Sequence, residues 1–274
     1  MFRDRGLEIK TPEQVAVMRQ AGIVVGETLA LLRDAVAPGV TTKELDTLAE
    51  DHIRSRGATP NFLGYHGYPA TICTSVDEQV VHGIPGDRVL VDGDVLSIDC
   101  GAIVDGWHGD AAITVAVGEV GPELVELMRV CEESMWRGIA AAELGGRVTD
   151  ISHAIETYVH SQGAYGIVED YVGHGIGSAM HLPPSVPNYG RPGKGPRLVE
   201  GLVLAVEPMI TLGTIETVVL EDDWTVITAD GSWSAHFEHS FTLTDRGTVV
   251  LTALDGGASK LAELGVASAV VGRQ

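Results

Sequence analysis

Residues 95–117, VLSIDCGAIVDGWHGDAAITVAV, constrain the fold more than any other stretch. Two runs rich in apolar and β-branched residues flank Asp105-Gly106, a dipeptide suited to a tight hairpin turn. A turn centred on Val104-Asp105 sets residue 99 opposite 110, and one centred on Asp105-Gly106 sets 101 opposite 110. In both registers Asp99 and Asp110 project from the same face, directly or diagonally adjacent. That face otherwise carries Ser97, Gly101, Ala112 and Thr114; the opposite one carries Leu96, Ile98, Cys100, Ile113, Val115 and Val117. The apolar face predicts a core, and the small acidic face leaves room for a ligand. Two carboxylates so close repel, so a cation is the expected compensation.

Around this hairpin the chain alternates helices and strands. Thr11 with Gln14 forms a capping-box signature, Pro12 follows at the first helical position, and apolar residues then recur every three or four as far as Val36. A second helix is predicted from Thr41 to Gly57, a third over Pro122–Leu144 and a fourth over Thr149–Gly163. The order helix, helix, strands therefore occurs twice without sequence identity between the halves. No polar linker divides the chain, which predicts one catalytic domain over 1–274, with a core over about 7–252 and a surface tail over 255–274.

Composition removes several functions. The net charge is −20, a surface that repels phosphate backbones, so nucleic acid is not expected as a substrate. A run of about 18 apolar residues is not evident, which argues against a membrane span. The N-terminus has no apolar signal core, and Cys73, Cys100 and Cys131 are odd in number and widely spaced. A cytoplasmic, reduced setting is the expectation.

Further candidate ligands fall near strand ends or beside glycines. His174 lies in the Gly-rich YVGHGIG segment, Glu207 ends an apolar run before Pro208, and Glu238 lies in HFEHSFTLT, where alternation puts His236, Glu238, Ser240 and Thr242 on one face. Each has a bland reading alone, Glu238 that of a solvated edge residue. With Asp99 and Asp110 they make an oxygen-rich set with a single nitrogen, suited to Mn, Fe, Co or Zn. Four carboxylates are balanced by two divalent cations better than by one. A pair of such ions supports hydrolysis by an activated water.

At this point the motifs resemble a family. GYHGYPATICTSVDEQVVHGIP (64–85), LSIDCGAIVDGWHGDAA (96–112), YVGHGIGSAMHLPPSVPNYG (171–190), AVEPM (205–209) and SAHFEHS (234–240) are similar, in order and spacing, to those of type I methionine aminopeptidases. The resemblance spans roughly residues 7–252. It implies an α+β pita-bread fold, a curved antiparallel sheet covered by helices and built from pseudo-two-fold halves. It also implies removal of the initiator methionine from nascent peptides whose second residue is small.

The resemblance further implies that Asp99, Asp110, His174, Glu207 and Glu238 bind two divalent ions, with Asp110 and Glu238 bridging. Glu207 would also carry the proton of the attacking water, His181 would stabilise the developing oxyanion, and His82 would contact the scissile amide. Tyr65, Tyr68, Cys73 and Trp224 fall in the implied methionine pocket. Phe62 and Met180 join them at positions where some relatives have a cysteine and an aromatic. His236 stands where an uncharged polar residue is usual and is expected to be structural.

The same fold also hosts Xaa-Pro aminopeptidases and non-catalytic partner-binding paralogues. Proline-specific enzymes usually carry a large N-terminal domain, for which a helix starting by Thr11 leaves no space. A binding paralogue would normally have lost ligands, and here all the matching positions are intact. The expected partner is a peptide N-terminus and the expected state a monomer. Transient ribosome contact suits such an enzyme, although the net charge gives it no electrostatic support.

Overall fold

A computed structural model describes residues 6–269 of the chain. Helix α1 (Pro12–Ala35) begins with the expected reciprocal cap: the Gln14 amide donates to Thr11 Oγ1, and the Thr11 amide to the Gln14 side chain. Helix α2 (Thr42–Ser55) repeats the device with Thr41 and Glu44. By length and composition α1 could cross a membrane, although Arg19 and Glu27 interrupt its apolar run. Its Met18, Val25, Leu29 and Leu32 are nevertheless buried within the fold, as befits a core helix.

The hairpin comprises strands Val95–Val104 and Trp107–Ala116. It turns through Asp105 (φ 47°) and Gly106 (φ 79°), and both positive values match the twist of the flanking strands. Gly101 therefore pairs with Asp110, and Asp99 with Ala112, so the aspartates are diagonal neighbours. Helix α1 lies across this hairpin at Gly22. A Cβ there would collide with the carbonyl of Leu251, and one at Gly109 would come within 2.9 Å of the Gly22 nitrogen.

Among the described residues the hairpin lies inside a nine-stranded antiparallel sheet. On one side Ile72–Val76 and the short Thr59–Pro60 strand pair with Val95–Val104. On the other, Glu238–Thr244 pairs with Trp107–Ala116, then Val203–Val206, Gly173–Gly175 and Leu182–Val186 follow; Gly247–Val250 also pairs with Glu238–Thr244. Helices α3 (Pro122–Ala140) and α4 (Val148–Gln162) pack on each other and bury Leu127, Cys131, Met135, Ile151, Ile155 and Val159. Helix α3 stops short of the predicted Leu144 because Glu143–Gly146 turns, with the Gly146 amide on the Glu143 carbonyl.

Two expectations need correction. The strand predicted through residues 236–242 breaks at Phe237: Ser234–His236 pairs with Met209–Thr211 in a separate three-stranded sheet, while Glu238 enters the large one. Glu238 is only 2% exposed, so it is no solvated edge residue. The segment after Asp255 is not a surface appendage either. Helix α5 (Ala258–Glu263) buries Leu261 completely, and just before it the Arg19 guanidinium donates to the carbonyls of Leu251, Ala253 and Leu254. Residues 270–274 of the predicted tail lie outside the described residues.

Candidate metal centre

The strand order brings the candidates together. Asp99 and Asp110 come from the two hairpin strands, Glu238 from the neighbour of Trp107–Ala116, Glu207 from the end of Val203–Val206, and His174 from Gly173–Gly175. These five, with Phe62, Tyr65, Tyr68, Cys73, His82, Met180, His181 and Trp224, line a single cavity of about 120 Å³. Every residue singled out from the sequence as a candidate for the site is on that wall.

The acidic end of the cavity is short of hydrogen bonds. Asp99 Oδ1, Asp110 Oδ1 and Glu238 Oε1 are buried without any partner. Burial above all, and then neighbouring carboxylates, pushes the Asp110, Glu207 and Glu238 carboxyls well above their usual range. Burial pushes Asp99 up to about 7. Desolvation has the opposite effect on the histidines and holds His174 at about 4. Neutral imidazole beside crowded carboxylates is the state in which both kinds of side chain bind cations.

The tautomer of His174 follows from its contacts. Nδ1 is 3.0 Å from the Gly175 carbonyl, which can only accept, so Nδ1 carries the proton and Nε2 is left bare. Nε2 lies 3.4 Å from Glu207 Oε1. Ligand atoms of Asp110, His174 and Glu238 lie within 4.8 Å of one another, and so do those of Glu207, His236 and Glu238. Orphaned oxygens, a bare imidazole nitrogen and this spacing fit one or more divalent ions.

The other end of the cavity is apolar. Phe62, Tyr68, Cys73 and Met180 are buried, with Tyr65 and Trp224 half-buried against them. The Tyr68 hydroxyl reaches the carbonyls of Ile72 and Gly83, and its ring meets Trp224 edge to face at 5.0 Å. His82 stands between the two ends with φ 61°, an uncommon conformation for a histidine, and burial lowers it to about 4. His181 lies at the mouth, where its Nδ1 is 2.8 Å from the Tyr65 hydroxyl and its ring 4.3 Å from that of His174.

Four neighbours make contacts that the sequence did not indicate. Gly101 was expected to be small to leave room for ions, but the space above it belongs to Asn61, whose side-chain atoms lie 2.6 Å from where a Cβ would stand. Ser97 and Thr114 hydrogen-bond each other at 2.8 Å, and Thr114 Oγ1 also engages both the amide and the carbonyl of His236. His236, expected to be structural, has its Nε2 3.7 Å from Glu207 Oε2. Its alternation with Glu238 was the available signal, but its proximity to Glu207 needs the third dimension.

Comparison with known proteins gives a concordant result. Residues 16–245 match Metallopeptidase family M24. The chain is 54% identical over 245 residues to "Methionine aminopeptidase" of Clostridium acetobutylicum, covering 89% of this chain and 98% of that protein. It is 53% identical to "Methionine aminopeptidase 1" of Mycobacterium tuberculosis, covering 87% and 92%. The crystal structure of methionine aminopeptidase from Thermotoga maritima superposes with a TM-score of 0.88 at 42% identity, over 90% of this chain and 99% of that one. A prolidase from Pyrococcus furiosus, at 21% identity and a TM-score of 0.69, shares the fold alone. The architecture is thus the pita-bread fold, a curled antiparallel half-barrel with covering helices.

Proposed function

The chain belongs to metallopeptidase family M24, and from that premise we propose that it removes the N-terminal methionine from peptides whose second residue is small. Membership implies use of a divalent metal. The finer reading is two ions, of Co, Mn, Fe or Zn, which Asp99, Asp110, His174, Glu207 and Glu238 would hold. When bound, such ions lower the pKa of water and polarise the scissile carbonyl.

The chain's own residues supply the rest. Phe62, Tyr65, Tyr68, Cys73, Met180 and Trp224 take an unbranched thioether side chain, and the carboxylates receive the free amine. His82 orients the scissile amide. Glu207, whose hold on a proton burial strengthens, takes the proton of the attacking water and passes it to the leaving amine. His181 donates from Nε2 to the oxygen that becomes negative, an interaction stronger in the transition state than in the ground state.

One observation carries this reading. An apolar pocket and a cluster of unpartnered carboxylates meet in one cavity, with His82 and His181 lining it too. The expected partner remains a nascent peptide N-terminus, in the cytoplasm, acted on by a monomer in transient contact with the ribosome.

The test is to strip the protein with chelator, reload it with Co, Mn, Fe or Zn, and assay Met-Ala-Ser, Met-Lys-Ser and a Xaa-Pro peptide. Metal-dependent cleavage of Met-Ala-Ser ahead of the other two is expected. Cleavage of the Xaa-Pro peptide alone, or no metal dependence, would overturn the assignment.

A further inference from the structure

We propose that His236 is a positioning residue for Glu207: its Nε2–H donates to Oε2 of that carboxylate and thereby presents Oε1 to the metal. This rests on Glu207 being a metal ligand, as argued above. Nothing in the sequence motifs gave His236 a role.

The two oxygens of Glu207 face two different imidazoles. Oε1 is 3.4 Å from Nε2 of His174, and Oε2 is 3.7 Å from Nε2 of His236. With Glu207 ionised, as metal binding requires, the first approach brings together two lone-pair atoms, because the proton of His174 is committed to the Gly175 carbonyl. In that state it cannot be a hydrogen bond. It has the spacing of two neighbouring ligands on one ion, whose bonds run about 2.0–2.2 Å. Oε1 is therefore the metal-facing oxygen, and Oε2 is the one left for a donor.

His236 is the donor at hand. It is 2% exposed, and its Nε2 is buried with no hydrogen-bond partner. An orphaned buried N–H is costly, by about 1–3 kcal/mol. At 3.7 Å the pair stands beyond hydrogen-bond distance, but polar contacts in such sites tighten when the site is loaded.

The backbone around both residues is already fixed. Thr114 Oγ1 accepts from the His236 amide at 2.9 Å and donates to the His236 carbonyl at 2.7 Å. The Cys131 thiol lies 3.2 Å from the carbonyls of both Pro208 and Ala235, the residues adjoining Glu207 and His236. Met209 pairs with His236 across the ladder. Each side chain thus departs from braced backbone, the arrangement by which outer residues orient a metal-binding carboxylate. Loss of such a partner typically costs about 10–100-fold in metal affinity or activity.

The test uses the full chain loaded with zinc and labelled with 15N-histidine. Long-range 15N–1H correlation should show His236, assigned by its absence from His236→Gln, with its proton on Nε2. An unprotonated Nε2 would overturn the proposal, whether because the nitrogen binds zinc or because it makes no bond. Titration with zinc should then show His236→Gln, which keeps an N–H donor, within a few-fold of the parent. His236→Leu should bind about 10–100-fold more weakly and lose kcat with little change in KM. Equal behaviour of Gln and Leu variants would also overturn it. A parent protein that binds no zinc at all would instead remove the metallopeptidase reading on which the proposal rests.

Discussion

The Tyr65 hydroxyl lies 2.8 Å from Nδ1 of His181 and joins the Gly-rich turn at residues 64–68 to the loop across the cavity mouth. With the phenol as donor, His181 keeps its proton on Nε2, the nitrogen assigned to the developing oxyanion. Tyr65→Phe removes that constraint while keeping the ring. A fall in kcat of about 3- to 10-fold with KM nearly unchanged is expected, the worth of one hydrogen bond of roughly 1 kcal/mol. Steady-state kinetics on Met-Ala-Ser checks it, and an unchanged kcat would remove the link between Tyr65 and the tautomer.

Glu207→Gln separates holding metal from moving a proton. The amide keeps one oxygen for the ion but cannot accept the proton of water. Turnover should drop by about 10²–10⁴-fold, while calorimetric titration still finds most of the metal binding. Near-normal turnover would move the proton shuttle to another group.

The carboxylates predict an unusual pH dependence when metal is removed. Folding raises Asp99 to about 7, above the ordinary value of about 4. Its neutral form is thus the one the fold favours: the contribution is complete below about pH 4 and is lost as pH rises through about 7. His82, His174 and His236 act in the opposite sense, since their depressed values favour the fold at higher pH. Their effects cancel when Asp99→Asn is compared with the parent. In chelator the variant should melt with the parent at pH 4 and several degrees above it at pH 8. Saturating zinc should reverse the order at pH 8, because ligand binding stabilises the protein that holds the ion. Coincident melting at both pH values would mean that Asp99 is not a strained carboxylate.

Gly101→Ala tests what the small residue is for. A methyl there meets the Asn61 side chain at 2.6 Å, and Asn61 Oδ1 is itself 2.6 Å from His108 Nδ1. Overpacking of this kind costs about 1–3 kcal/mol. Denaturant melts should show that loss, and Asn61→Gly in the same chain should recover most of it. A loss that the second change does not relieve would place the crowding elsewhere.

Several parts of this molecule were legible before the fold was known. The capping boxes at Thr11 and Thr41 announced α1 and α2 because a cap is a contact within four residues. The Asp105-Gly106 turn announced the hairpin for the same reason, since both positions take up positive φ. The donors Asp99, Asp110, His174, Glu207 and Glu238 stood out through their motifs and their chemistry. What failed to show was whatever depends on distance between elements. Alternation alone left Glu238 open between a sheet's margin and its middle, and only the pairing with Ala112 places it inside. The stretch after Asp255 read as an appendage because Leu261 gives no sign of the core that closes over it.

The sequence by itself therefore determined the hairpin, the two capped helices and an oxygen-rich donor set, because each depends on neighbours along the chain or on residue type. Only the tertiary structure decided that Asp99 and Asp110 are diagonal, that Gly101 makes way for Asn61, and that Glu207 stands between His174 and His236. Those outcomes turn on separations of three or four ångströms between strands far apart in sequence. Such distances are set when the sheet curls and the helices close over it.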